Sequence, residues 1–166
     1  MEITQAPVVK AGMLIRRPAA EVFEAFIDPA LTSKFWFTKG SSRLDGGGGR
    51  VRWDWEMFGV SAEVTVKAIE SNKRILIEWS AAGGEPTAVE WLFTPRADGT
   101  TFVTITESGF SGDGDEVVRK ALGSQGGFTF LLSGLKAFLE HDIALNLTAD
   151  HAPDHVGTNQ EGSEGP

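Results

Sequence analysis

The stretch GGFTFLLSGLKAFLEHD, Gly126 to Asp142, decides the fold. Its apolar residues Phe128, Leu131, Leu132, Leu135, Phe138 and Leu139 recur at three- and four-residue intervals, which gives a helix one broad apolar stripe. Upstream, back to about residue 45, apolar and polar residues alternate in short runs separated by turn signals, the pattern of half-buried strands. A striped helix needs a surface to cover, and a one-sided sheet needs a cover. The expected architecture is therefore a container, a sheet wrapped around one long helix.

The strands are legible one by one. In RVRWDWE, Arg50 to Glu56, the residues Val51, Trp53 and Trp55 alternate with charged neighbours. Ala62, Val64 and Val66 share one face of the next run, followed by Ile75, Ile77 and Trp79, then Val89, Trp91 and Phe93, then Val103, Ile105 and Glu107. Ser71-Asn72, Gly83 to Pro86 and Ala97 to Gly99 mark the turns between them. No helical pattern interrupts the series, so the strands form an antiparallel meander with one dry face. Ahead of them, Val8 to Ile15 reads as a first strand. Pro18 opens a helix whose apolar face is Val22, Phe23, Phe26 and Ile27, and Asp28-Pro29 starts a second short one through about Trp36. Downstream, Asp115 is placed to cap a short helical piece ending near Leu122. Gly123 to Gly127 is expected to interrupt or kink it before the long helix runs to about Leu147.

Charge and composition exclude several functions. The formal net charge is −8, but Glu140, Asp142, Asp150, Asp154, Glu161 and Glu164 follow the last Lys or Arg, and without them the body is near −2. A near-neutral body has no basic footprint for nucleic acid or an anionic membrane. Cysteine is absent, so disulfide and thiolate chemistry are excluded. There is no secretory-type N-terminus and no apolar run of membrane-spanning length, which leads to the expectation of a soluble cytoplasmic protein. Residues 1–149 read as one domain. Residues 150–166, DHAPDHVGTNQEGSEGP, have almost no apolar content and are expected to form a disordered acidic tail.

Together these strings resemble the SRPBCC superfamily of helix-grip proteins, which includes START domains, pollen-allergen proteins and polyketide cyclases. The resemblance rests on Pro18 to Phe23 with Ala25-Phe26, Asp28-Pro29 to Phe35-Trp36, Gly48 to Trp53, Trp91 to Thr94, and Gly127-Phe128 through Leu131, Leu135-Lys136 and Phe138 to Glu140. Within the superfamily the chain is most similar, over about residues 8 to 145, to the activator-of-heat-shock-protein-ATPase-homologue-like group. That group usually carries Trp where this chain has Phe128, a swap that keeps an aromatic against the sheet. The resemblance implies an α+β helix-grip fold, with about seven curved antiparallel strands around a long C-terminal helix. It also implies a deep apolar pocket between sheet and helix, of the kind the superfamily uses for lipids, steroids and polyketides. The activator name implies, as an alternative, a stress-response interaction protein that meets a chaperone or a second copy of itself.

The candidate ligand-binding residues are Trp36, Trp53, Trp55, Trp79, Trp91, Glu107, Phe128, Leu131 and Leu135. Trp53, Trp55, Trp79 and Trp91 lie on the apolar parity of their strands, and the same inward side chains serve a packed core or the wall of a pocket. The small residues Ser133 and Gly134 near the helix face favour space being left. Glu107 is the one carboxylate continuing an apolar parity. It either anchors a ligand's polar group or sits at a solvated strand end, with Ser108 beside it as a hydrogen-bond donor. Gly46 to Gly49 is no phosphate loop, because no Gly-Lys-Ser/Thr follows and the next element is a strand. His151 and His155 have helical i, i+4 spacing, but Pro153 between them argues against a metal site. His141 suits the C-terminal end of the long helix. No metal or cofactor is expected. Without Cys, Tyr or a core histidine an enzyme would have to use Glu107 or Asp54 with bound water, a cyclase- or lyase-like possibility ranked below binding of a small hydrophobic or amphipathic molecule.

Overall fold

The computed structural model describes residues 1–80 and 84–155. Seven strands form a single sheet: β1 Val9–Ile15, β2 Lys39–Gly40, β3 Arg50–Trp55, β4 Val60–Glu70, β5 Arg74–Trp79, β6 Thr87–Pro95 and β7 Thr101–Ser108. Their spatial order is β1-β7-β6-β5-β4-β3-β2, with every neighbouring pair antiparallel. The helices are α1 Ala19–Ile27, α2 Pro29–Thr32, α3 Gly114–His141 and α4 Leu147–Asp150, and a 3-10 turn, Glu56–Phe58, links β3 to β4. The sheet's inner rows are those set by alternation, and Val64, Ile77, Val89, Val103 and Ile105 are fully buried. One irregularity shifts that alternation. The β4–β5 register slips between Val66 and Ala68, so that Ile69 pairs with Ile75 and joins the inner face. Between α2 and β3 lies the two-residue β2, and Ser42 to Asp45 is a loop.

The C-terminal half departs from the sequence reading in three ways. First, α3 is one continuous 28-residue helix with no break at Gly123 to Gly127. Each helical glycine costs about 1 kcal/mol relative to alanine, and burial of Phe128, Leu131, Leu132 and Leu135 against the sheet outweighs it. Second, its cap is Asp113 and not Asp115: the Asp113 carboxylate accepts the Glu116 N–H at 2.9 Å, which holds its carboxyl below the usual carboxylate range. Third, the helix stops at His141 instead of near Leu147. Asp142 adopts a left-handed conformation (φ 54°), and the Ile143 N–H reaches back to the Ala137 carbonyl at 3.2 Å, closing the last turn.

Side-chain bonds at both ends of β1 lay α3 along that strand. Gln125 Nε2 donates to the Lys10 carbonyl and Lys136 Nζ to the Leu14 carbonyl. Glu140 Oε2 accepts both Lys136 Nζ (2.7 Å) and the Arg16 backbone N–H (2.9 Å). Burial raises the Glu140 carboxyl, and these two donors more than offset it, so it titrates below the usual range. On the other side, α1 packs Phe23 and Phe26 edge-on or tilted against Phe93 of β6. The space expected beside Gly134 is filled: a Cβ there would stand 3.1 Å from the Phe35 carbonyl oxygen, and Ser133 turns its hydroxyl back to the Thr129 carbonyl.

Of the segment expected to be a disordered tail, Asp150 to His155 is described. The His151 ring packs on Phe58 and Phe130, the His155 ring on Phe58, and Ala152 against the core. The remainder, residues 156–166, and part of the Gly83 to Pro86 turn lie outside the described residues.

Candidate functional site

Trp36 is positioned by a compact turn. Asp28 caps α2 by accepting the Ala30 N–H, Thr32 Oγ1 donates to the Ala25 carbonyl at 2.6 Å, and the Trp36 N–H returns to the Thr32 carbonyl. The indole is thereby carried over the sheet's concave face. Its ring centroid lies 5.1 Å from Trp53, 5.5 Å from Trp55, 5.8 Å from Trp79 and 6.1 Å from Trp91. These tilted and edge-on geometries are those aromatic quadrupoles prefer. Phe128 of α3 stacks on Trp79 at 6.3 Å and 12° between planes. Leu131 and Leu135, on the same helix, are fully buried. The residues singled out in the sequence thus gather between sheet and helix. The gap bounded by Phe26, Thr32, Trp36, Leu44, Trp53, Ile75 and Trp91 has a cavity volume of ≈ 0 Å³, too tight for water.

Glu107 lies inside this apolar layer, not at a frayed strand end: it is 3% exposed, on β7 between Val9 of β1 and Val89 of β6. Its Oε2 accepts the Trp79 indole N–H at 2.9 Å and the Thr87 hydroxyl at 2.5 Å. Its Oε1 has no partner, and neither do the indole N–H groups of Trp36, Trp55 and Trp91. Among the described residues no cation pairs with the Glu107 carboxylate. Buried polar atoms without a partner are uncommon. Asp54 is not part of this constellation. It sits on the opposite parity of β3 and pairs with Arg52 at 2.9 Å. Thr87 was missed in the sequence because the β6 pattern was read only from Val89, although Thr87 continues the same parity one step earlier. Thr32 and Leu44 carried no signal and Phe26 only that of an apolar helix face, since the three converge only through the packing of α1, α2 and the β2–β3 loop. Among the described residues no group of three or more His, Cys, Asp or Glu side chains is arranged to hold a metal ion, and no helix is long and apolar enough to cross a membrane.

A seven-stranded antiparallel sheet curved around a long C-terminal helix, with two short helices after the first strand, is a helix-grip domain of the SRPBCC superfamily. Residues 16–140 match the sequence model described as Activator of Hsp90 ATPase homolog 1-like protein, and the chain belongs to that family. No curated protein matches the sequence. Among solved structures, the chain is similar to the protein SSP2350 from Staphylococcus saprophyticus, at 29% identity and a TM-score of 0.71, over 84% of this chain and 96% of that one. It is also similar to DynU16, a protein of the dynemicin biosynthetic locus, at 25% identity and a TM-score of 0.68, over 82% of this chain but 48% of that one. The Aha1 dimer from Colwellia psychrerythraea shares the fold at 17% identity and a TM-score of 0.65, over 81% of this chain and 97% of that one.

Proposed function

We propose that the protein binds a small hydrophobic or amphipathic molecule between the sheet and α3, with Glu107 as the polar anchor. The observation that carries this reading is the buried Glu107 carboxylate, one oxygen held by Trp79 and Thr87 and the other unpartnered in an aromatic surround. Its second oxygen answers no donor of the protein, and a ligand's hydrogen-bond donor or cation would complete it. Trp36, Trp53, Trp55, Trp79, Trp91, Phe128, Leu131 and Leu135 form the apolar wall around it. Because the gap beside Trp36 is closed, binding requires the wall to part. The test is native mass spectrometry of the purified protein for a co-purifying molecule, with titration of an apolar amine monitored by tryptophan emission. A saturable one-site change that Glu107→Gln weakens supports the reading, and no change in the parent protein refutes it.

A second reading is an interaction protein that meets a chaperone or a second copy through the sheet's outer face. It is favoured by the closed gap together with Leu92 and Phe102, both 38% exposed on that face, where the Phe102 ring lies over Gly12. Sedimentation of the parent and of Leu92→Ser/Phe102→Ser tests the self-association form of it. A single mass shared by both proteins at every concentration would remove that form. The cyclase-like reading asks for two convergent titratable groups, and Glu107 meets no second one among the described residues.

A further inference from the structure

At the edge of the interior, next to the closed aromatic gap, lies an open groove of ≈ 830 Å³ between α1, the β2–β3 loop and the β4–β5 turn. Its size falls among small-molecule sites, which span about 300 to 1,000 Å³. Its apolar lining is Phe23, Ile27, Leu44, Val51, Val66 and Ile69, beside the charged Glu24, Arg43, Asp45 and Arg50. Groove and gap are neighbours on α1, on β3 and on the β2–β3 loop. Ile27 of the groove follows Phe26 of the gap on α1, and Val51 precedes Trp53 on the inner parity of β3. Ile69 pairs across the sheet with Ile75, an adjacency created by the register slip in β4. One side chain, Leu44, borders both spaces.

Leu44 sits on a loop with few ties. Its N–H donates to the Ile27 carbonyl at 3.1 Å, and Arg43 pairs with Glu24. Beyond it, the Asp45 carboxylate takes the Gly47 N–H, a bond internal to the loop, and the next link to the body is the Gly49 carbonyl accepting from Val66. Gly48 and Gly49 have nothing within 4 Å of where a Cβ would stand. Leu44 is itself buried and the loop's start is tied down through Ser41 to Arg52 and Arg43 to Asp28, but the glycines that follow offer few contacts to break, so this segment opens at lower free energy than the sheet beneath it.

We propose that this groove is the vestibule through which a small hydrophobic molecule reaches the interior, and that Leu44 is the gate. The inference rests on the interior-binding reading. Swinging Leu44 aside with its loop removes the one side chain shared by the two spaces and joins the groove to the face of Trp53 and Trp91. An apolar molecule then follows the groove's apolar residues inward, with its charged ones left toward solvent, and never crosses the hydrogen-bonded sheet.

The test locks the loop. A Cβ at Gly46 would stand 3.5 Å from Ile69 Cβ, within the span of about 3.5 to 4.5 Å that a disulfide needs, and the chain contains no other cysteine. In Gly46→Cys/Ile69→Cys, stopped-flow association of the neutral fluorophore N-phenyl-1-naphthylamine is compared between oxidised and reduced forms of the same protein. The expected result is association roughly tenfold or more slower when oxidised, restored by reductant, with one site in both, as for other closing loops. Leu44→Ala should associate faster than the parent at unchanged stoichiometry. Oxidised and reduced rates within about twofold of each other, with one-site binding in both, would overturn the gate while leaving interior binding in place. No binding by the parent, the reduced variant or Leu44→Ala would overturn the interior reading and the gate with it.

Discussion

Glu107→Gln should make the protein more stable while weakening its hold on any amine or hydrogen-bond-donating ligand. The amide oxygen takes the place of Oε2 and keeps the Trp79 N–H and Thr87 O–H as donors. Each bond then falls from about 1.5 to 3 kcal/mol, typical of a charged acceptor, to about 0.5 to 1.5 kcal/mol, a combined loss of roughly 2 to 3 kcal/mol. Against this, an unpaired carboxylate 3% exposed carries a desolvation penalty of several kcal/mol that the neutral side chain does not. The unpartnered Oε1 becomes an unpartnered amide group, so that term changes little. The balance favours the variant by roughly 1 to 2 kcal/mol, which for a domain of this length raises Tm by about 2 to 8 °C. Thermal unfolding by circular dichroism at neutral pH, with urea unfolding as a check, measures it. A loss of more than about 1 kcal/mol would refute the reasoning, because the carboxylate would then be a structural acceptor for Trp79 and Thr87 and not a group held for a ligand.

Three further outcomes follow from the packing. Trp36→Ala should cost about 3 to 5 kcal/mol in urea unfolding, since it empties the centre of the tryptophan cluster, and a cost under about 1 kcal/mol would contradict the closed gap. Truncation after His155 should leave Tm unchanged, whereas truncation after Ala149 should lower it by a few degrees, because only the second removes the contacts of His151 and Ala152 with Phe58, Phe130 and the core; equal Tm values for the two would show that these contacts contribute nothing. Glu140 titrates below its ordinary range, so its contribution is present above the unfolded-state value and is lost as pH falls through the lower folded-state one. The stability difference between the parent and Glu140→Gln should therefore be largest near neutral pH and shrink toward strongly acid pH, and a gap that widens on acidification would reverse the assignment.

The fold was legible because its signals are local. Alternation in RVRWDWE and its successors places each inward side chain, and a three-to-four residue stripe marks α3, without reference to anything distant. The inward orientation of Trp53, Trp55, Trp79 and Trp91 was legible for the same reason: side chains on the apolar parity of their strands share one face once the strands form a sheet. The helix boundaries of the C-terminal half were less so, since Gly123 to Gly127 carries the propensity of a break. Only the burial of the flanking Phe128 and Leu131 against the sheet overrides it. Phe26 was legible as an apolar helix position but not as a neighbour of the tryptophans, and Thr32 and Leu44 gave no sign at all. Their convergence depends on how α1, α2 and the β2–β3 loop dock, which is a matter of long-range packing.

Periodicity by itself thus determined that this chain is a sheet around a helix, with aromatic side chains turned inward, and left open whether the Glu107 carboxylate is buried or sits at a solvated strand end. Whether that interior is open, and where it meets the solvent, was decided only by tertiary structure. Inward orientation is a property of a strand's own two-residue repeat, but volume is a property of the fit between elements. Gly134 looks like room in the sequence and is filled by Phe35 in the fold. The groove beside Leu44 is lined by Ile69 because a register slip in β4 turns that side chain inward beside a loop that covers it only in part.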